Sequence, residues 1–168
     1  MENGVQFRIG HSPIAAGTHL CHFGKRKTRL ETAAHSIAVG IRAREVCLLI
    51  CDDSLAKTIF ILLGVIGIDV HENVRKGSLI HLHGEENGTE LLGSTVTNLE
   101  KRCPAGARII GCPCWHSKGW PDPVDLLAFE MLLEQITKKY RALCTVYLRP
   151  LRSSACRSAC PASDSDQG

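Results

Sequence analysis

The run Glu45-Val46-Cys47-Leu48-Leu49-Ile50-Cys51, followed at once by Asp52-Asp53-Ser54, is the feature that most limits what this chain can become. A continuous apolar run bounded by charge reads as a strand buried on both faces, the type found in parallel sheets. Asp52, Asp53 and Ser54 supply a helix N-cap directly after it. The helix that follows carries Leu55, Ile59, Leu62 and Leu63 on one face and ends near Gly64 or Gly67.

The same alternation runs along the chain. Thr18–Phe23 reads as a first strand after Gly17. A helix then places Leu30, Ala33, Ala34, Ile37, Ala38 and Ile41 at helical spacing. Ser78–His83 is a third strand, with a helix over about Thr89–Lys101 that turns Leu91, Leu92, Val96 and Leu99 inward. Ala107–Cys112 is a fourth strand. Pro121-Asp122-Pro123 opens a long helix whose apolar face is expected at Val124, Leu127, Ala128, Met131, Leu132 and Ile136. Leu143–Leu148 is a fifth strand. Strands and helices in this order predict one α/β domain of three layers, with a mostly parallel five-stranded sheet. Residues 1–16 form a lead, residues 17–150 the domain, and residues 151–168, poor in large apolar groups, a disordered tail.

Bulk properties narrow the function. A net charge of +3 over 168 residues gives no nucleic-acid footprint, and the cluster Lys25, Arg26, Lys27, Arg29 reads as a solvated helix start. The most apolar stretch, Ile59–Ile68, is half of the roughly twenty residues a membrane span needs. Nine cysteines is an odd total, several of them in apolar runs, which points to a reducing cytoplasm rather than a disulfide framework. Cys21, Cys47 and Cys144 are expected as core fillers.

The first strand–helix turn is where a nucleotide binder places its glycine-rich phosphate cradle. Here it reads Phe23-Gly24-Lys25-Arg26-Lys27-Thr28, with a single glycine. That lacks the second glycine a P-loop needs for its backbone N–H groups to wrap phosphate. Thr28 reads as a helix N-cap, with Glu31 completing a capping box. No G-x-S-x-G elbow is present either.

The motifs in order are Gly17–Phe23, Val39-Gly40-Ile41, Arg44–Leu48, Gly67–Val70, Lys76–Leu79, Arg108-Ile109-Ile110-Gly111 with Trp115, and Phe129-Glu130. Together they resemble the MEDS domain, the methanogen/methylotroph sensory domain of DcmR-like proteins, over about residues 17–150. The resemblance implies a RecA-like or KaiC-like core without ATPase motifs. It also implies a signal-input role in bacterial and archaeal regulators, with a small molecule as ligand and a kinase, sigma-factor system or transcription factor as partner. Cys112 stands where the family usually has Glu, and Glu45 occupies the matching acidic place before the second strand.

In a parallel sheet the carboxyl ends of the strands share one rim. A pocket there is expected to be lined by His22, Phe23, Asp52, His83, Cys112 and Trp115, with His19 and Glu130 completing the ligand-contacting set. His19 has an alternative reading as a structural residue that bonds backbone near the first strand. Cys112-x-Cys114-x-His116 points the same way along an extended segment, and His22 or His83 can complete a site for Zn²⁺ or another soft metal. Against this, strong zinc signatures use paired C-x-x-C. Cys112 or Cys114 is alternatively a redox-sensing thiol. The leading reading is therefore a stand-alone sensory, ligand-binding domain rather than an enzyme. A metal- or redox-responsive Cys/His protein is second, and a degenerate ATPase third.

Overall fold

The computed structural model describes residues 6–9, 12–23, 25–83, 88–102, 106–112 and 123–148. The chain enters through an antiparallel hairpin, β1 (Gln6–Ile9) and β2 (Ser12–Ala15), inside the segment expected as a lead. Four-residue strands are too short for alternation to be read, and Pro13 fits only because a two-stranded ribbon has free edges. Gly17 then turns the chain with a φ of 82°, and its N–H donates to the Ala142 carbonyl at 2.9 Å. Only glycine adopts that conformation without strain.

The main body follows as β3 (His19–Phe23), α1 (Arg26–Arg42), β4 (Val46–Cys51), α2 (Asp53–Val65), α3 (Val70–Lys76), β5 (Leu79–His83), α4 (Gly88–Arg102), β6 (Ala107–Gly111), α5 (Pro123–Lys139) and β7 (Leu143–Leu148). The five long strands form one sheet in the order β3-β7-β6-β4-β5, parallel at every pairing. The sheet is thus wholly parallel, and α3 is an element that the sequence periodicity did not reveal. Its Asp69 cap accepts from the Glu72 N–H at 2.9 Å, and Gly77 closes it at a φ of 73°.

Strand alternation sorts the core into two layers. Cys47, Leu49 and Cys51 of β4 pack with Ala33, Ile37, Ile59 and Leu63 of α1 and α2. Val46, Leu48 and Ile50 pack on the other side with Leu91 and Leu99 of α4 and Phe129 and Leu133 of α5. No single helix among the described residues is long and apolar enough to cross a membrane.

Three expectations are corrected. α1 begins at Arg26 with Lys25 at its N-cap and no side-chain capping bond, so Thr28 lies inside the first turn and builds no capping box with Glu31. The start is fixed by burial of Arg29 and Leu30 against the sheet rather than by a cap. α5 buries Phe129, Leu133, Ile136 and Thr137, while Leu127, Met131 and Leu132 of the expected face are 61%, 55% and 47% exposed. The helix carries two apolar stripes, and the one holding the bulky Phe129 fits the Ile109, Cys144 and Val146 surface. Cys47 and Cys144 are buried as expected, but Cys21 is exposed, because β3 is an edge strand with one neighbour.

Beneath α1 lies a buried charged network. The Arg108 Nε donates to Glu45 Oε2 and Nη1 to Ser36 Oγ at 3.3 Å, with Arg108 1% and Glu45 5% exposed. Gly40 leaves room for it. A Cβ at that position would sit 2.6 Å from Cys47 Sγ and 2.8 Å from Arg108 Cδ.

Candidate functional site: the carboxyl rim of the sheet

Among the described residues, the connections that leave adjacent strands diverge on both sides of β4. From β4 the chain passes to α2 on one face, whereas from β6 it passes to α5 on the other. The other neighbour of β4, β5, passes to α4, also on the face away from α2. Ligands of open parallel sheets bind where adjacent connections diverge in this way. Between β4 and β6 the divergence falls at Cys51-Asp52 and Gly111-Cys112, just past the Cys112 N–H that donates to the Ile50 carbonyl at 2.8 Å.

Asp52 caps α2, accepting from the Leu55 N–H at 2.8 Å, and so holds the first turn of that helix against the rim. The turn presents Asp53 toward β5. Leu79, His81 and His83 share the face of β5 that meets α2, because alternate residues point the same way and Leu79 lies in that core layer. His83 Nδ1 is 3.2 Å and His81 Nδ1 4.0 Å from the same oxygen, Asp53 Oδ1. The two imidazoles are 4.9 Å apart between centroids, and His81 packs edge-on to Phe60 at 6.1 Å. The other His81 nitrogen, Nε2, lies 3.0 Å from the Cys51 carbonyl and 3.9 Å from Cys51 Sγ. A carbonyl only accepts, so Nε2 donates there.

The remaining expected residues separate. His22 is half-buried and tilts against Tyr147 at 5.4 Å, on the strand at the far edge from β5. Four strand spacings of about 4.8 Å put His22 and His83 about 19 Å apart, so no single metal ion or few-atom ligand touches both. Phe23 ends β3 at the same far edge. His19 begins β3, at the end away from the rim, and its Nε2 sits 3.3 Å from Glu130 Oε2 without a well-aligned hydrogen bond. Burial pushes the Glu130 carboxyl up, and His19 pulls it partly back. Cys112 is 4% exposed and packs in the core layer beneath α1 and α2. Cys114, Trp115 and His116 lie outside the described residues.

Two features went unread in the sequence. Asp53 was taken with Asp52 as cap material, yet only Asp52 caps; the His81-x-His83 spacing on an edge strand beside it was the available signal. The second is a cleft of about 720 Å³ along α1 and α2, lined among others by Thr32, His35, Val39, Arg42, Leu62 and Tyr147. Its residues lie a full helix apart in sequence, so no local pattern announces it.

A family model described as MEDS, the MEthanogen/methylotroph, DcmR Sensory domain, matches residues 18–161. The chain belongs to the MEDS family. No curated protein matches it. The match assigns this MEDS domain to a family of sensory domains and extends past residue 150. Several motif residues of the MEDS domain are now seen to be scaffold. Gly40, Glu45 and Arg108 form the buried network that locks α1 onto β4 and β6, and Gly17 ties the hairpin to Ala142, at the entry to β7.

The thiols of the MEDS domain divide by environment. Burial raises Cys47 to about 12, Glu45 adding to the rise, and it raises Cys144 further still. Such thiols stay protonated and unreactive. Exposed Cys21 is also raised, by partial burial and the Glu130 charge.

Proposed function

We propose that this MEDS domain is a cytoplasmic sensory module that binds a small molecule and passes its occupancy to a partner regulator, a kinase, sigma-factor system or transcription factor. The family match over residues 18–161 carries this reading. The cleft along α1 and α2 supports it, having the size of a small-molecule site. The turn into α1 supports binding over turnover. Lys25 stands at the helix start, exposed and without a capping bond, in a sequence lacking the second P-loop glycine. This is what a RecA-like core without a phosphate cradle would look like.

The test is a thermal-shift and calorimetric screen of the full chain against small apolar molecules, nucleotides and their analogues. A true ligand at a hundred times its Kd adds about 2.7 kcal/mol. For a domain of this size that raises Tm by about 5–10 °C. The same ligand must change the domain's affinity for a partner regulator. A screen in which every compound leaves Tm and calorimetric heat at baseline refutes the ligand-binding reading. Nucleotide turnover that falls with Lys25→Ala would move the domain into the enzyme class.

A further inference from the structure

We propose that Asp53, His81 and His83 form a divalent transition-metal site of the zinc class on the β5 edge of the rim. The first observation is convergence. One oxygen and two imidazole nitrogens, from two elements distant in sequence, lie within 4.8 Å of one another. Ligands at about 2.1 Å from a tetrahedral ion stand about 3.4 Å apart. The His83–Asp53 pair is already at 3.2 Å and the His81–Asp53 pair at 4.0 Å. Small side-chain rotations close the rest.

The second observation is the orientation of His81. Its Nε2 faces the Cys51 carbonyl at 3.0 Å and must donate there. In the neutral ring that leaves Nδ1 bearing its lone pair, aimed at a carboxylate oxygen that also bears only lone pairs. Two acceptors facing each other need positive charge between them, supplied by a proton or by a cation. A backbone carbonyl fixing the far nitrogen is also how metal-bound histidines are oriented. Two imidazoles and one carboxylate form a donor set that suits zinc and its neighbours and leaves a position open.

The third is exposure. His81 is 17% exposed and packs edge-on to Phe60, whereas His83 and Asp53 are 57% and 65% exposed. The open position therefore faces solvent. The positive end of α2 beside Asp53 opposes a bound cation and weakens its hold. The site is built for an exchanging ion rather than a structural one, which is what a sensory domain can use. It uses none of Cys112, Cys114 and His116, and it stands whether or not the α1–α2 cleft takes a small molecule.

The experiment is titration of the full chain, without an affinity tag and stripped of metal, with Zn²⁺ by calorimetry and Co²⁺ by visible absorption. One equivalent should bind, and the cobalt spectrum should show ligand-field bands without a thiolate charge-transfer band. Loss of a partner to a metal-binding histidine alone costs about 10–100-fold in affinity. His83→Ala, Asp53→Asn and His81→Gln should each weaken binding by at least that, while Cys114→Ser with His116→Ala leaves it unchanged. His83 and Asp53 are exposed, so those two variants keep the fold and decide the matter if His81→Gln does not. Absence of binding, a thiolate band, or binding that survives both His83→Ala and Asp53→Asn overturns the proposal.

Discussion

Replacing Glu45 with Ala strips the carboxylate from a guanidinium that is 1% exposed. Glu45 is itself 5% exposed, so the pair is shielded from solvent on both sides. A surface ion pair is worth about 0–1 kcal/mol, but removing one partner of a buried pair costs about 3–5 kcal/mol because the other charge remains desolvated. Ser36 Oγ at 3.3 Å still accepts from Arg108, though a neutral hydroxyl offsets little of that charge. The expected loss is therefore about 3–5 kcal/mol, a large share of the 5–15 kcal/mol by which domains of this kind are stable. Urea unfolding followed by circular dichroism reads it directly. With a slope of about 2 kcal/mol/M, the midpoint should fall by about 2 M at unchanged slope. The double variant Glu45→Ala with Arg108→Met removes both charges and should recover much of the loss, so the two single costs should be strongly non-additive. A Glu45→Ala cost below about 1 kcal/mol, or simple additivity in the cycle, would refute a desolvated ion pair beneath α1.

Three further outcomes follow from the same packing. Gly40→Ala drives a methyl into Cys47 and Arg108 and should cost about 1–3 kcal/mol in the same urea assay; a neutral effect would mean that α1 sits farther from the sheet. The Arg75 and Lys76 hydrogen bonds hold the Glu72 carboxyl down to about 2. Because the folded value lies below the ordinary one, this small contribution to α3 is present above about pH 4.5 and lost as pH falls toward about 2. Carbon-detected NMR of Glu72 in the wild type and in Arg75→Ala should show the midpoint moving up in the variant; no movement excludes the ion pairing. Brief alkylation of the native chain, followed by peptide mass spectrometry, should modify Cys21 well before Cys47 or Cys144; equal labelling of the three would contradict their burial.

The layered α/β architecture was legible because it rests on local signals. The run Val46–Cys51 has no polar alternation and can only be a strand covered on both sides, and the structure leaves all six residues buried. Asp52 was likewise readable as a cap, since capping involves atoms three residues apart. Helix faces were less secure. α5 offers two apolar stripes, and only the shape of the β6–β7 surface selects Phe129 and Leu133 over Leu127 and Met131. Cap chemistry failed at Thr28 for the same reason, since burial of Arg29 and Leu30 sets where α1 begins.

The sequence by itself, without revealing α3 or the β1–β2 hairpin, determined the five strands of the main sheet, the four long helices, that both sheet faces are covered, and which family the domain resembles. Each of these depends on residues a few positions apart. Tertiary structure alone decided the strand order, and with it the meaning of the Cys and His residues. Placing β3 and β5 at opposite edges separates His22 from His83, while setting β5 beside β4 brings His81 and His83 onto Asp53. Sheet order depends on which crossover buries the most apolar surface over the whole chain, and no local spacing encodes that choice.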